Sequence, residues 1–336
     1  MLTHFVLTLL STLTDAHAAN RTAAGLAWPN QLWVPMAGFT GPSTSISSYY
    51  TWTPHPVIPT PDLPPIYNVP FDFIPNLWGC TDDKINEFND ALRGNFSNVK
   101  LTPSREILGF NEPDLPGQAN CSPERAAEVW QSTLEPLKKQ GYRIGSPAVS
   151  GGPAGKEWMQ RWFEVCDGGC DPDFVAVHWY DIDPRDFIVH LQDYYWSFGR
   201  PIWVTEYAVM NFTPINDVDP TTSAPAALMQ IQLFMDVTRS FMESVNWVER
   251  YFYFGAMYDM QGVNPLNSMF DIAGRERRTG ALNALGVQYA RSNGSVDPTI
   301  GDQSRKAAGA RERGSSLSRV CGLLCFVAIS TVTLLS

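Results

Sequence analysis

Short apolar runs alternate with amphipathic segments along most of the chain. Apolar residues at helical spacing, such as Ile85, Phe88 and Leu92, are typical of a helix with one buried face. We predict helices at residues 82–92, 122–140, 156–165, 186–196 and 224–243. Between them lie apolar and aromatic runs, most without polar alternation, for which we predict eight strands at residues 25–28, 45–52, 71–78, 106–110, 143–147, 174–180, 201–206 and 248–254.

Strands that alternate with helices over this length indicate a parallel sheet with both faces covered. Eight such units predict an α/β fold, a single (β/α)8 TIM barrel, over residues 19–295. A doubly wound open sheet is the alternative. It is disfavoured because neither a G-x-G-x-x-G sequence nor a phosphate-loop sequence follows the first strand.

The two ends of the chain resemble targeting segments and are set aside. An apolar run at residues 5–13 is followed by Ala-His-Ala at 16–18, so we predict that residues 1–18 are a secretion signal. Residues 296–319 are polar and small and are expected to form a spacer.

The uncharged residues 320–336 follow that spacer in the order of a glycolipid (GPI) anchor signal. A transmembrane helix is the alternative. It would place Arg311, Arg313 and Arg319 outside the cell, against the preference of positive charge for the cytoplasmic side. We therefore expect a secreted or cell-surface protein.

The composition argues against two classes of function, nucleic-acid binding and metal binding. The chain has 24 Lys and Arg against 34 Asp and Glu, a net charge of −10, which argues against nucleic-acid binding. Five His leave few ligands for a metal site, so we expect no metal and no cofactor. The chain also contains 11 Trp, which suit stacking on sugar rings as well as core packing.

Four cysteines remain outside the apolar tail, an even number that suits disulfides in an oxidising compartment. We favour Cys166 with Cys170 in a tight loop and Cys80 with Cys121, although four cysteines allow three connectivities. Sequons for N-glycosylation occur at Asn20, Asn95, Asn120, Asn211 and Asn293.

Two of the predicted strands end in glutamate. Glu112 follows the fourth strand and Glu206 ends the seventh, 94 residues later. In a barrel these side chains face each other across the mouth, where catalytic groups project from the strand ends. A facing carboxylate pair is what glycosidic bond cleavage requires. The alternative is that residues 111–114, Asn-Glu-Pro-Asp, only form a turn that starts a helix.

Several short motifs carry a family resemblance. They are Phe-Asn-Glu-Pro-Asp (110–114), Val-His-Trp-Tyr (177–180), Trp-Val-Thr-Glu-Tyr (203–207) and Phe-Gly-Ala-Met (254–257). With them, roughly residues 23–290 resemble the fungal glycosyl hydrolase catalytic core proteins of glycoside hydrolase family 128. The resemblance implies a retaining endo-β-1,3-glucanase acting on cell-wall glucan as a monomer. It also implies Glu112 as acid and base and Glu206 as nucleophile.

Residues beside the two glutamates are candidates for substrate binding. Asn111 can bond a sugar hydroxyl, and Tyr180 can donate to Glu206 and hold it ionised. His178 shares the strand face of Tyr180, either as a contact to substrate or as a core histidine. Candidate sugar platforms, each of which could equally be core packing, are Trp52, Trp78, Trp179 and Trp203.

One departure from the family concerns the last strand. Where we expect a Trp near its end, this chain reads Arg-Tyr-Phe-Tyr-Phe at 250–254, so we assign sugar stacking to Tyr253. An insertion at residues 32–44 could wall one end of the cleft. Two further functions stay open: a non-catalytic glucan-binding wall protein, and a hydrolase of another β-glycan.

Overall fold

A computed structural model describes the part of the chain that carries the predicted barrel. The described residues are 24–29, 34–40, 44–56, 71–94, 101–102, 105–210, 224–271 and 279–291. They all belong to one compact unit that ends at Arg291. The predicted signal, spacer and apolar tail lie outside the described residues, as do four of the sequons, at Asn20, Asn95, Asn211 and Asn293.

Eight strands and seven helices alternate along the described residues. The strands are β1 (Ala24–Ala27), β2 (Ile46–Tyr50), β3 (Asp72–Phe73), β4 (Glu106–Ile107), β5 (Arg143–Ile144), β6 (Val175–Tyr180), β7 (Ile202–Ala208) and β8 (Val248–Tyr253). The helices are α1 (Asp82–Gly94), α2 (Pro123–Val129), α3 (Glu135–Lys138), α4 (Pro153–Cys166), α5 (Pro184–Phe198), α6 (Ala224–Ser244) and α7 (Ala284–Ala290). Every predicted strand is present.

The strands are parallel and follow one another around a barrel. Six form a continuous sheet in the order β3-β2-β1-β8-β7-β6, and β4 pairs with β5. Parallel bridges complete the circle. One joins Asn76 to Leu108 between the third and fourth units, and one joins Gly145 to Phe174 between the fifth and sixth. The predicted (β/α)8 barrel is therefore confirmed.

Three of the strands, β3, β4 and β5, are only two residues long, and local chemistry explains why. β3 ends before Pro75, which has no N–H to donate to a neighbouring strand. β5 likewise ends before Pro147. After β4, a Cβ on Gly109 would meet the Ser146 carbonyl oxygen at 2.7 Å, so the two backbones approach there more closely than side chains allow.

The long helix predicted at 122–140 forms in three pieces. Ser122 caps α2 by accepting a hydrogen bond from the Arg125 N–H, as its sequence position predicts. A π turn, Trp130–Leu134, separates α2 from α3. Helix α7 was not predicted. Its Asn283 cap accepts a hydrogen bond from the Gly286 N–H and was the available sequence sign of it.

Both predicted disulfides are present. Cys80 is bonded to Cys121 and Cys166 to Cys170. The first links the segment after β3 to the segment after β4, and both segments lead to the mouth of the barrel. Within the described residues, we find no helix whose length and apolarity would let it cross a membrane.

Buried charges close the opposite end of the barrel. Glu106, at the start of β4, is 1% exposed. Its carboxylate oxygens accept hydrogen bonds from Arg143 at 3.1 Å and from Arg250 at 2.8 Å. Arg143 also bonds Glu249 at 2.8 Å, and the Arg250 guanidinium lies 5.0 Å from the ring centre of Trp203. This network ties β4, β5, β7 and β8 together.

We expect Glu106→Ala to lower the free energy of unfolding by about 3 kcal/mol, because it leaves two guanidinium groups without their buried carboxylate. Urea unfolding measures the loss. Glu157→Ala, at an exposed position of α4, is the control and should change stability by less than about 0.5 kcal/mol. Equal losses in the two variants would show that the network contributes nothing.

Candidate active site

Glu112 lies just beyond β4, in a backbone conformation that glutamate rarely adopts. Its φ is +42°, in the left-handed region. Its N–H donates to the Ala148 carbonyl at 2.7 Å, and its own carbonyl accepts from the Leu115 N–H at 3.0 Å. Two residues on, the Asp114 carboxylate accepts hydrogen bonds from the N–H and hydroxyl of Ser150. The turn is thus held on both sides, and it aims Glu112 into the barrel mouth.

Glu206 points into the mouth because the alternation of β7 is interrupted. Val204 and Tyr207 both pack in the apolar core between the strands and the helices. They are three residues apart, whereas regular strand alternation would place them on opposite faces. The pairing of β7 with β6 skips Thr205, since Val177 pairs with Val204 and His178 pairs with Glu206. Such a bulge re-aims the side chain next to it.

His178 lies between the two carboxylates. Its Nδ1 is 3.0 Å from Oε1 of Glu112, and its Nε2 is 3.5 Å from Oε1 of Glu206. The ring is 1% exposed and forms no part of the cleft lining. The expectation that His178 contacts substrate is therefore not supported by its position. It holds the two carboxylates from below.

Both oxygens of Glu206 accept further hydrogen bonds. The Tyr180 hydroxyl donates to Oε2 at 2.5 Å, as predicted from its place on the strand. The Trp52 indole N–H donates to Oε1 at 2.6 Å. This second bond was not predicted, because Trp52 follows β2 and Glu206 lies in β7, and these two strands are not neighbours in the sheet.

The ionisation of these groups is coupled. Burial raises the pKa of Glu206; the charge on His178 opposes this rise, Glu112 adds to it, and the bonds from Tyr180 and Trp52 oppose it. Burial alone would lower the pKa of His178. The negative charges of Glu206 and Glu112 outweigh burial, so the pKa of His178 is raised. A protonated imidazole donates from both nitrogens, which suits its place between two carboxylates.

The same three residues are a candidate metal-binding set. One ligand atom from each of Glu112, His178 and Glu206 lies within 4.8 Å of the others. Neutral imidazole and free carboxylate oxygens bind metals. Here the raised pKa of His178 favours the protonated ring, and both oxygens of Glu206 already accept hydrogen bonds. The arrangement fits an acid–base and nucleophile pair better than a metal centre.

A cleft of about 920 Å³ opens above the carboxylates. Glu112 and Glu206 lie on its floor. Its aromatic lining residues are Trp52, Trp78, Trp179, Tyr180 and Phe254. Its polar lining includes Asn111, Gln118, Ser150, Asp181 and Gln261. Flat apolar walls with a few polar groups suit sugar rings edged with hydroxyls.

Two aromatic candidates lie in the core: Tyr253, to which sugar stacking was assigned, and Trp203, for which core packing was the alternative. Tyr253 is fully buried; its ring packs on Tyr207 and Tyr289, and its hydroxyl donates to Asn267. Trp203 is also fully buried and stacks on Phe174, with ring centres 3.8 Å apart inside the barrel. Neither ring can reach a ligand in the cleft.

Phe254 lines the cleft where Tyr253 was expected. Its ring centre is 5.7 Å from those of Trp52 and Tyr180, between which it packs edge-on. Once the structure places Phe252 in the barrel interior, strand alternation requires Tyr253 to face outwards and Phe254 to face the cleft. Gln118 and Asp181 also line the cleft without having been predicted.

Comparison with known proteins found a matching family model and a similar curated protein. Residues 25–289 match a family model described as "Glycosyl hydrolase catalytic core". The chain is also 31% identical over 201 residues to alkali-sensitive linkage protein 1 of Schizosaccharomyces pombe. The match covers 58% of this chain and 35% of that protein, so the chain spans only about a third of the length of this curated relative.

Solved structures are similar over most of the chain. An exo-β-1,3-glucanase of glycoside hydrolase family 128 from Cryptococcus neoformans is 26% identical, with a TM-score of 0.61, over 80% of this chain and 98% of that one. A curdlan-specific exo-β-1,3-glucanase from Blastomyces gilchristii is 27% identical, with a TM-score of 0.59, over 81% and 99%. An endo-β-1,3-glucanase mutant from Amycolatopsis mediterranei, in complex with laminaripentaose, is 27% identical, with a TM-score of 0.56, over 80% and 98%.

Proposed function

Because the chain belongs to the glycosyl hydrolase catalytic core family, we propose that it is a glycosidase that cleaves internal linkages of β-1,3-glucan with retention of configuration. Glu112 acts as acid and then base, and Glu206 acts as the nucleophile. The observation that carries the proposal is the pair of buried carboxylates on the floor of an aromatic cleft, with oxygens within 4.8 Å of each other.

The carboxylate separation supports retention. Retaining glycosidases place their carboxyl groups about 5–5.5 Å apart, whereas inverting enzymes leave about 6.5–9.5 Å for a water molecule between base and sugar. One oxygen of Glu112 and one of Glu206 lie within 4.8 Å of each other, a close approach that favours the shorter, retaining separation. The Tyr180 and Trp52 hydrogen bonds favour the ionised form of Glu206, which a nucleophile needs.

The reaction proceeds in two displacements. The Glu112 carboxyl gives its proton to the glycosidic oxygen while a Glu206 oxygen attacks the anomeric carbon, so the C–O bond breaks and one glucan fragment leaves as an alcohol. A glycosyl ester of Glu206 remains. Glu112, now a carboxylate, takes a proton from water as that water attacks the anomeric carbon, and Glu206 is released as a carboxylate. Two inversions give net retention.

The choice of β-1,3-glucan is supported by related structures. The Amycolatopsis enzyme is an endo-β-1,3-glucanase in complex with laminaripentaose, and the Cryptococcus and Blastomyces enzymes are exo-β-1,3-glucanases. We propose endo action here because aromatic walls of the cleft, such as Trp78 and Phe254, offer stacking surfaces for more than one sugar ring. Product sizes separate endo from exo action.

We also propose that the protein acts at the cell surface, in remodelling of the fungal wall, attached to the membrane by a GPI anchor. The support is the sequence of residues 1–18 and 320–336 and the two disulfides, which suit an oxidising compartment. Release of the protein from intact cells by a phospholipase specific for phosphatidylinositol is the expected result. Retention in the membrane after that treatment would favour a spanning helix.

Incubation of the secreted protein with linear β-1,3-glucan tests the function directly. We expect a ladder of short oligosaccharides from the first minutes, resolved by size, and the β-anomer as the first product by NMR. Glucose alone would indicate exo action, and the α-anomer would contradict retention. Binding without products would favour a non-catalytic glucan-binding protein. Products formed only from a β-1,4-glycan would show that the substrate is that polymer and not β-1,3-glucan.

Phe254→Ala is expected to raise KM for laminari-oligosaccharides about tenfold, because a stacking ring contributes about 1.5 kcal/mol. Tyr253→Phe is the matched control. It removes only the buried hydroxyl that donates to Asn267, so it should lower the unfolding midpoint and leave KM unchanged. An unchanged KM in Phe254→Ala would show that the Phe254 ring does not stack on the substrate.

A further inference from the structure

We propose that Trp52 is a positioning residue for the nucleophile: its indole N–H fixes the direction of the Glu206 carboxylate, while its ring forms part of the cleft wall. This inference rests on the proposed function, since it assigns a second role within the same site. It changes the interpretation of Trp52 from one platform among several to part of the nucleophile's machinery.

The contact crosses the barrel mouth. Trp52 follows β2 and Glu206 lies in β7, and β1 and β8 separate these strands in the sheet. The indole N–H nevertheless donates to Glu206 Oε1 at 2.6 Å. Directly beneath, the Tyr50 hydroxyl donates to the Thr205 carbonyl at 2.8 Å. Two consecutive hydrogen bonds therefore tie the end of β2 to the bulge that carries the nucleophile.

The backbone at Trp52 is set for this contact. Its φ is +56°, in the left-handed region, which is strained for a bulky residue. The ring packs edge-on against Tyr50, with centres 4.9 Å apart, and against Phe254, with centres 5.7 Å apart. In this conformation the N–H edge of the indole faces the Glu206 carboxylate.

The Trp52 hydrogen bond leaves the Glu206 carboxylate with a single orientation. Tyr180 holds Oε2 and Trp52 holds Oε1, so the carboxylate cannot rotate without losing a hydrogen bond. Oε1 also faces His178 Nε2 at 3.5 Å, so the remaining lone pair on Oε2 is the one that can be presented to the anomeric carbon. Pre-orientation of a reacting group lowers the barrier of the chemical step rather than the binding constant.

The same bond affects ionisation in a known direction. The Trp52 hydrogen bond opposes the effect of burial, which raises the pKa of Glu206. Removal of the N–H must therefore raise that pKa further. The acidic limb of kcat/KM, which reports an essential group that must be ionised in the free enzyme, should then move to higher pH.

Trp52→Phe separates the two roles, because phenylalanine keeps an aromatic face and lacks the N–H. We expect kcat on laminari-oligosaccharides to fall about 10- to 100-fold, the usual effect of one hydrogen bond to a charged group, with KM changed less than about threefold. The acidic limb should move upwards. Trp78→Phe is the matched control, since no hydrogen bond joins Trp78 to either glutamate among the described residues; it should change KM and leave the limb in place. A Trp52→Phe variant with altered KM alone would overturn the proposal.

A second measurement needs neither a Trp52 variant nor activity. In protein labelled with ¹⁵N-tryptophan, an indole N–H bonded to a carboxylate gives a signal at low field. We expect one such signal to move to higher field in Glu206→Gln, since an amide is a weaker acceptor. No change in any indole signal would overturn the proposal. If the wild type leaves β-1,3-glucan intact while this signal moves, the proposed function fails and the contact stands.

Discussion

Glu206→Gln is expected to lower kcat on β-1,3-glucan by at least about 10⁴-fold, because the amide cannot form the glycosyl ester on which the second displacement depends. Binding should persist, since the aromatic walls of the cleft are untouched. Single-turnover kinetics and titration calorimetry with laminari-oligosaccharides measure the two effects. Glu157→Gln, an exposed acid-to-amide change on α4, is the control for the substitution itself.

Rescue by azide tests whether Glu206 is the nucleophile, in addition to measuring the loss of activity. In Glu206→Ala the space of the carboxylate is open, so azide can attack the anomeric carbon from that side when an activated aryl laminaribioside is the substrate. One displacement then gives the α-glycosyl azide, with inversion. Rescue that gave the β-azide would assign the nucleophile elsewhere, and unreduced turnover without azide would remove Glu206 from the mechanism.

Glu112→Ala is expected to lower kcat on the natural polymer about 10³- to 10⁴-fold, because the departing sugar oxygen then leaves without a proton. A dinitrophenyl leaving group needs no proton, so the first step should be nearly normal with an activated substrate. The glycosyl ester of Glu206 should then accumulate, since no base assists the attack of water. A burst of dinitrophenol followed by a slow steady state measures this.

Azide also tests this variant, with the opposite stereochemistry. It can intercept the accumulated ester without a general base, which should accelerate turnover and give the β-glycosyl azide after two inversions. An equal loss on activated and natural substrates would show that Glu112 does not protonate the leaving group. The pair of azide products, α from one variant and β from the other, fixes which glutamate has which role.

His178 lies between Glu112 and Glu206, and only part of its surroundings could be predicted from the sequence. Its strand periodicity with Tyr180 placed it correctly beside Glu206. Only the structure shows that it lies 3.0 Å from Glu112 as well, beneath the cleft and away from substrate. Local spacing along β6 cannot specify the contact with Glu112, which follows β4, because that distance depends on how the barrel closes.

The sequence also did not show which side chains of the last strand face the cleft and which face the helices. The composition of residues 250–254 indicated an aromatic group near the site, yet Tyr253 faces the helices and Phe254 faces the cleft. A shift of one residue in a strand exchanges the two faces. The inward position of Phe252 fixes the phase, and the apolar character of all three residues hides it from the sequence.

The sequence by itself determined the eight strands, the order of strands and helices and the placement of Glu112 and Glu206 near strand ends, and it favoured the observed disulfide pairing among three. These features follow from apolar runs, helical periodicity and residue chemistry, which are local and persist in any fold that buries them. Tertiary structure decided the bulge at Thr205, the left-handed backbone at Glu112 and Trp52, and the hydrogen bond from Trp52 to Glu206 across the barrel mouth. Those features exist because closing the barrel brings residues as far apart as positions 52 and 206 within hydrogen-bond distance, and no local pattern encodes that contact.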